Sequence, residues 1–246
     1  MRLLHTTSLK LSEFFGAKIP PYAILSHRWG DSEVTFQDLQ NGKVFENPSS
    51  EKLIGCCKRA KEDGYEFVWI DSCCIDKTSS AELSEAINSM FQWYQNSQLC
   101  YAYLSDVYSV PSLQNPEPME SDIRKSKWFT RGWTLQELLA PQQVTFFDHN
   151  WFEIGTKDSL QTVISSITGI KHLFHFRRAS IAQKMSWASN RETLRSEDMA
   201  YCLMGLFGVN MPLLYGEGDA AFIRLQIEIM RISDDESIFA WTQFVP

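Results

Sequence analysis

Apolar and polar positions along the chain switch between two periods. Tyr22-Ala23-Ile24-Leu25-Ser26 is an apolar run of strand length, set off by Pro20-Pro21 and ending in the polar and aromatic cluster His27-Arg28-Trp29-Gly30-Asp31. Ser50 to Asp63 shows helical spacing, with Leu53, Cys57 and Ala60 on one side and Gly64 at a C-cap position. Tyr65 to Asp71 reads as a second strand, closing on a carboxylate. Ser79-x-x-Glu82 has the capping-box pattern and opens a helix whose inward stripe is Leu83, Ile87, Met90 and Tyr94. Leu99 to Leu104 and Val144 to Asp148 are the third and fourth strands. Strands alternating with helices at this spacing predict an α/β fold of parallel β-α units, covered on both faces.

Other segments punctuate that core. Met1 to Pro21 reads as an entry segment closed by the Pro20-Pro21 break, and Val110 to Glu120, rich in Pro, Ser and acids, as an exposed insertion. Beyond Asp158 the pattern becomes mostly helical, over 158–168, 180–189, a Ser196-capped stretch to Phe207, and 217–232. Ser237 to Phe244 is assigned as an edge strand. Residues 1–150 therefore form an α/β core, and 151–246 a helical C-terminal extension of the same domain.

Arg131 to Leu139 is a short helix stopped by Pro141. At 100° per residue, Trp128, Leu135, Leu138 and Leu139 share the face that should bury, while Trp133 and Glu137 lie one turn apart on the opposite side. Two readings fit: a Trp packed on a neighbouring element with a solvated Glu, or a cleft where indole and carboxylate meet a ligand. The cluster at His27 to Asp31 has a similar ambiguity. Ligands of open α/β sheets bind at the carboxyl ends of strands, yet a turn with an Arg28–Trp29 cation–π contact also suffices.

Composition narrows the field. The 246 residues are 44% hydrophobic and 22% charged, with a net charge of −7, which argues against a nucleic-acid surface. No apolar run approaches a membrane span, and no signal peptide precedes the core, so a cytoplasmic protein is expected. The six cysteines form no C-x-x-C pair and read as buried hydrophobes in a reducing compartment. His172-x-x-His175 lacks an acidic or Cys partner, so no metal is assigned. There is no G-x-G-x-x-G and no P-loop, which argues against Rossmann and NTPase readings.

Three ordered blocks, Tyr22 to Gly30, Trp69 to Lys77 and Arg131 to Leu139, resemble the signature blocks of the fungal heterokaryon-incompatibility (HET) domain. Glu197-Asp198-Met199-Ala200-Tyr201, Pro212 to Gly218 and Ser237 to Trp241 resemble that family too, with Lys77 standing where many members carry Gln. The resemblance implies a cell-death effector of fungal non-self recognition, a form of innate immunity. It also implies C-terminal nucleotide-binding oligomerisation and WD-repeat modules in a full-length protein.

The strand-end order, with Trp133-Thr134-Leu135-Gln136-Glu137-Leu138, is more distantly similar to the TIR domain, whose plant members carry an NAD-cleaving glutamate in such a block. That implies a flavodoxin-like parallel sheet and self-association that completes the site. The substrate would be NAD+ or NADP+, with no other cofactor. Carried onto this chain, Glu137 would be catalytic, and Trp133, His27, Arg28, Trp29, Asp71 and Ser26 would bind substrate. Arg131-Gly132 before Trp133 departs from the plant pattern, as does the insertion near 107–125. The competing expectation is a non-enzymatic oligomerisation module for death signalling, with Trp133 as an interface anchor.

Overall fold

A computed structural model describes residues 1–108 and 117–240, without the side chains of 117–120. In chain order the strands are β1 (Arg2–His5), β2 (Leu11–Glu13), β3 (Ala23–His27), β4 (Phe67–Trp69), β5 (Leu99–Tyr103), β6 (Val144–Phe147) and β7 (Glu153–Thr156). The helices of the α/β part are α1 (Phe36–Gln40), α2 (Ser50–Glu62), α3 (Asp71–Cys74), α4 (Ser80–Asn96), α5 (Glu117–Lys125) and α6 (Thr134–Leu139). Then come α7 (Gln161–Thr168), α8 (Ile181–Ala188), α9 (Asp198–Tyr201), α10 (Met204–Phe207) and α11 (Ala220–Ile232).

One sheet runs β2-β1-β4-β3-β5-β6-β7. Its four central strands are parallel, as the alternating strands and helices predict, and β1, β2 and β7 add antiparallel edges. The central order second-first-third-fourth is flavodoxin-like, and the direction in which successive strands are added reverses between β3 and β5. Such a reversal leaves a crevice at the carboxyl ends of the strands.

Every residue of β3 is buried, as suits an interior strand covered on both faces. Helices α4 and α6 cover one face: the Tyr94 hydroxyl donates to the Leu25 carbonyl at 2.9 Å, and the Cys100 thiol points at the Glu137 carbonyl. Helix α2 covers the other, where the Tyr101 hydroxyl donates to Asp63 at 2.7 Å. The C-terminal helices pack over α4, and Gly205 permits this: a Cβ there would lie 2.1 Å from Phe91 Cβ. All six cysteines are buried and unpaired.

Several local expectations need correction. The second strand is only Phe67–Trp69, because the Ile70 carbonyl turns to accept the Cys73 and Cys74 amides and Asp71 opens α3. At Ser79 half a capping box forms. Its hydroxyl accepts the Glu82 amide, but the Glu82 carboxylate goes to the Asp76 amide and to Arg2. The entry segment, given no element from sequence, holds the β1–β2 hairpin. Ser196 to Phe207 splits into α9 and α10, with Gly208 at φ 72° ending the second. Glu236–Phe239 is a 3-10 helix rather than an edge strand, because the Asp235 side chain caps its first turn and also takes the Ile181 amide. The remainder of that assignment, 241–244, and most of the expected insertion at 110–120 lie outside the described residues.

Candidate active site

The carboxyl end of β3 delivers Ser26 and His27 to a cavity of about 330 Å³. Helix α3 brings Asp71, α4 brings Leu83, Ile87 and Met90 as an apolar floor, the turn entering α6 brings Arg131 and Trp133, and α6 itself brings Glu137. The outer wall comes from the C-terminal part: Arg195, Asp198 and Tyr215. Of the residues assigned from sequence, His27, Trp29, Asp71, Trp133 and Glu137 line this cavity, and Ser26 lies directly behind Glu137. Arg28 does not: it is exposed and lines a second cavity.

Glu137 is the surprise of α6. The helix wheel placed it opposite the burying face, but all of Thr134–Leu139 is buried: β3 and α4 of the α/β core receive Glu137 through Ser26 and Tyr94, while Arg191 from the C-terminal part covers the Thr134 end. Glu137 is only 6% exposed. Its carboxylate accepts from the Ser26 hydroxyl at 2.5 Å, and Ser26 in turn accepts from the Trp128 indole at 2.9 Å. Burial is the main cause that lifts the Glu137 pKa from 4.5 to about 8; the Ser26 hydrogen bond opposes it, the Asp71 charge adds to it, and Arg131 and Tyr94 oppose it. A carboxyl so placed ionises readily only when a positive charge joins it.

The helix is held from behind. Arg191, buried, donates to the Arg131 carbonyl at 2.9 Å and to the Thr134 hydroxyl at 3.0 Å. Gly132 lets the segment at 192–193 approach: its amide donates to the Glu192 carbonyl at 2.8 Å, and a Cβ would sit 2.5 Å from Thr193 Cγ2.

A second charged layer surrounds the mouth. The Trp29 indole donates to Asp71 at 2.9 Å. The Lys77 ammonium lies 3.4 Å from the centroid of the Trp29 ring and 3.8 Å from Asp71, with no hydrogen-bond acceptor among the described residues. Burial lowers its pKa. His27 sits between Glu33, 3.6 Å away, and Asp71, 3.8 Å away, and neither ring nitrogen is hydrogen-bonded. Burial, then Lys52, lowers its pKa against the raising effect of those carboxylates, which favours neutral imidazole. Trp133 is half-buried, and its hydrogen bond to Asp198 partly offsets the burial that raises that carboxyl.

Lys77, Arg131, Arg195, Asp198 and Tyr215 had no assigned role from sequence. Lys77, Arg131, Asp198 and Tyr215 fall within the quoted blocks, whereas Arg195 lies two residues before one and carried no signal. Glu197 accepts the Gly216 and Gly218 amides at 2.7 and 3.1 Å, and the Tyr215 hydroxyl donates to Asp198 at 3.0 Å. Those two blocks therefore fold together as one wall.

Comparison with known proteins agrees with the signature blocks. A family model described as "Heterokaryon incompatibility protein (HET)" matches residues 22–117. The vegetative incompatibility protein HET-E-1 of Podospora anserina is 46% identical over 221 residues, 86% of this chain. The chain spans only 16% of that relative's length. No solved structure matches the chain significantly.

Proposed function

The chain carries a heterokaryon-incompatibility (HET) domain, and we propose that it is the cell-death effector part of a fungal non-self recognition protein, acting by hydrolysing the nicotinamide–ribose bond of NAD+ or NADP+. One observation carries this reading. A buried carboxylate, Glu137, faces a cavity walled by tryptophans and rimmed by Lys77, Arg131 and Arg195.

Cleaving that bond sends its electron pair to the nicotinamide nitrogen, which leaves neutral, and leaves a cationic ribosyl centre; water adds to it and a proton is released. Nicotinamide needs no general acid to leave. What lowers the barrier is a fixed negative charge beside an oxocarbenium-like centre in a dry site. Glu137 supplies that charge. At neutral pH the empty site holds it mostly protonated, and ionising it at pH 7 costs about 1.4 kcal/mol for a pKa near 8. A substrate cation about 5 Å away in an effective dielectric of about 20 returns roughly 3 kcal/mol, so substrate binding favours ionisation. Trp133 presents a face to the electron-poor pyridinium. The cationic rim suits the substrate's phosphates, and Asp71 holds Trp29 in place.

Self-association would complete the site, and wall residues drawn from the C-terminal part suit such control. A second reading, a non-enzymatic signalling module, draws on the exposed Ile223, Ile227 and Met230 along α11, at 58, 40 and 44%. Expression in a fungal host separates the two. Wild-type domain should deplete cellular NAD+ and kill, and Glu137→Gln should do neither. Killing by Glu137→Gln at equal abundance would favour the scaffold.

A further inference from the structure

The first cavity, at about 330 Å³, sits at the small end of the roughly 300–1,000 Å³ range of ligand sites and suits one nucleoside end of a dinucleotide. A second cavity of about 380 Å³ opens beside it at the ends of β3 and β5. The segment after β3 is the ridge between them. His27 and Trp29 face the first, and Arg28 and Gly30 face the second.

The second cavity is built around stacked aromatics. Tyr103 and Trp151 stack with ring centroids 4.9 Å apart at 27°, and His149 continues the row, 6.5 Å from Tyr103 and 4.7 Å from Tyr108. Seating the Trp151 indole runs against local backbone preference twice. Trp151 adopts φ +62°, unfavourable for a bulky residue, and α2 carries Gly55 in its interior, where a Cβ would lie 2.1 Å from the indole nitrogen. Such placement persists when the surroundings demand it, and it is commonest at ligand sites. Three charged side chains line the cavity, and of these Lys52 is already paired with Glu33. Arg28 is exposed and makes no side-chain hydrogen bond or ion pair among the described residues, and Glu51 supplies a carboxylate.

We propose that this second cavity takes the adenylate half of the dinucleotide, which straddles the Arg28–Gly30 ridge with its nicotinamide end in the first cavity. The adenine stacks on the exposed His149 end of the aromatic row, Glu51 accepts from the ribose hydroxyls, and Arg28 pairs with the phosphate nearest the ridge. This rests on the hydrolase reading above.

The test measures equilibrium binding of AMP, and steady-state kinetics with NAD+ and with nicotinamide riboside, which lacks adenylate. Arg28→Gln changes an exposed side chain and should leave the fold intact; Trp151→Phe serves as a second variant that keeps an aromatic ring. AMP should bind wild type and Glu137→Gln alike, and bind Arg28→Gln about tenfold more weakly, the worth of one charge-assisted hydrogen bond. Arg28→Gln should raise KM for NAD+ by about the same factor with kcat kept, and the difference should vanish with nicotinamide riboside. AMP binding indifferent to Arg28, or equal losses on both substrates, would overturn the assignment. Absence of nicotinamide release bears on the hydrolase reading alone, because the AMP measurement needs no turnover.

Discussion

Replacing Glu137 by Gln should make the domain more stable, by an amount that grows with pH. The amide matches the protonated acid in shape and can still accept from Ser26, so below pH 4.5 the two proteins differ little. The sign follows from proton counts. Unfolded, Glu137 titrates near 4.5; folded, near 8, so across that window the folded wild type holds about one extra proton. Its stability therefore falls as pH rises from 4.5 to 8, at about 1.4 kcal/mol per pH unit, and then levels off. The full difference is on the order of 5 kcal/mol, an upper figure if water enters the site on ionisation. For a domain of this size it corresponds to roughly 10 °C or more in Tm. The assay is denaturant or thermal unfolding of both proteins at closely spaced values from pH 4 to 9. Other titrating groups, His27 among them, are shared and cancel in the difference. Parallel curves over that range would refute the buried, proton-holding Glu137 and the electrostatic argument built on it.

Three further outcomes follow from the same geometry. The kcat/KM for NAD+ should rise about tenfold per pH unit on the acid side and level off near pH 8, where free Glu137 ionises; a flat profile from pH 6 to 9 would contradict this. Ser26→Ala removes a donor to Glu137 and the acceptor of the Trp128 indole, so it should cost about 1–3 kcal/mol in unfolding experiments and move the acid limb of that profile to higher pH. Gly132→Ala places a methyl 2.5 Å from Thr193 Cγ2 and should lower Tm by several degrees, whereas an unchanged Tm would show that the segment at 192–193 yields freely.

The interior strands were legible because each is an apolar run with no competing period: β3, β5 and β6 fall where Tyr22 to Ser26, Leu99 to Leu104 and Val144 to Asp148 predict them. The edges were not. In β1 only Leu3 and Leu4 mark the strand, and β7 is four residues with a polar outer side, so neither carries a pattern distinct from a loop. At the site, the out-of-phase Trp133 and Glu137 were visible as an anomaly, but a helix wheel sees one neighbour at a time. It could not show that Ser26 and Tyr94 receive Glu137 while Arg191 of the C-terminal part covers the Thr134 end. The same limit hid Arg195, Asp198 and Tyr215, which reach the cavity only after the Glu197 and Gly216 blocks lock together. Arg28 illustrates the converse: sequence grouped it with His27 and Trp29, and the alternation of residues 27–30 sent it over the ridge to the second cavity.

The most direct test of the account is nicotinamide release from NAD+ and NADP+ by the purified domain, held at high concentration or artificially clustered, beside Glu137→Gln, with assembly followed by light scattering. The account predicts release by the clustered wild type, none by Glu137→Gln, and equal assembly of the two. Equal release by both proteins, or no release by a wild type that assembles, would contradict it.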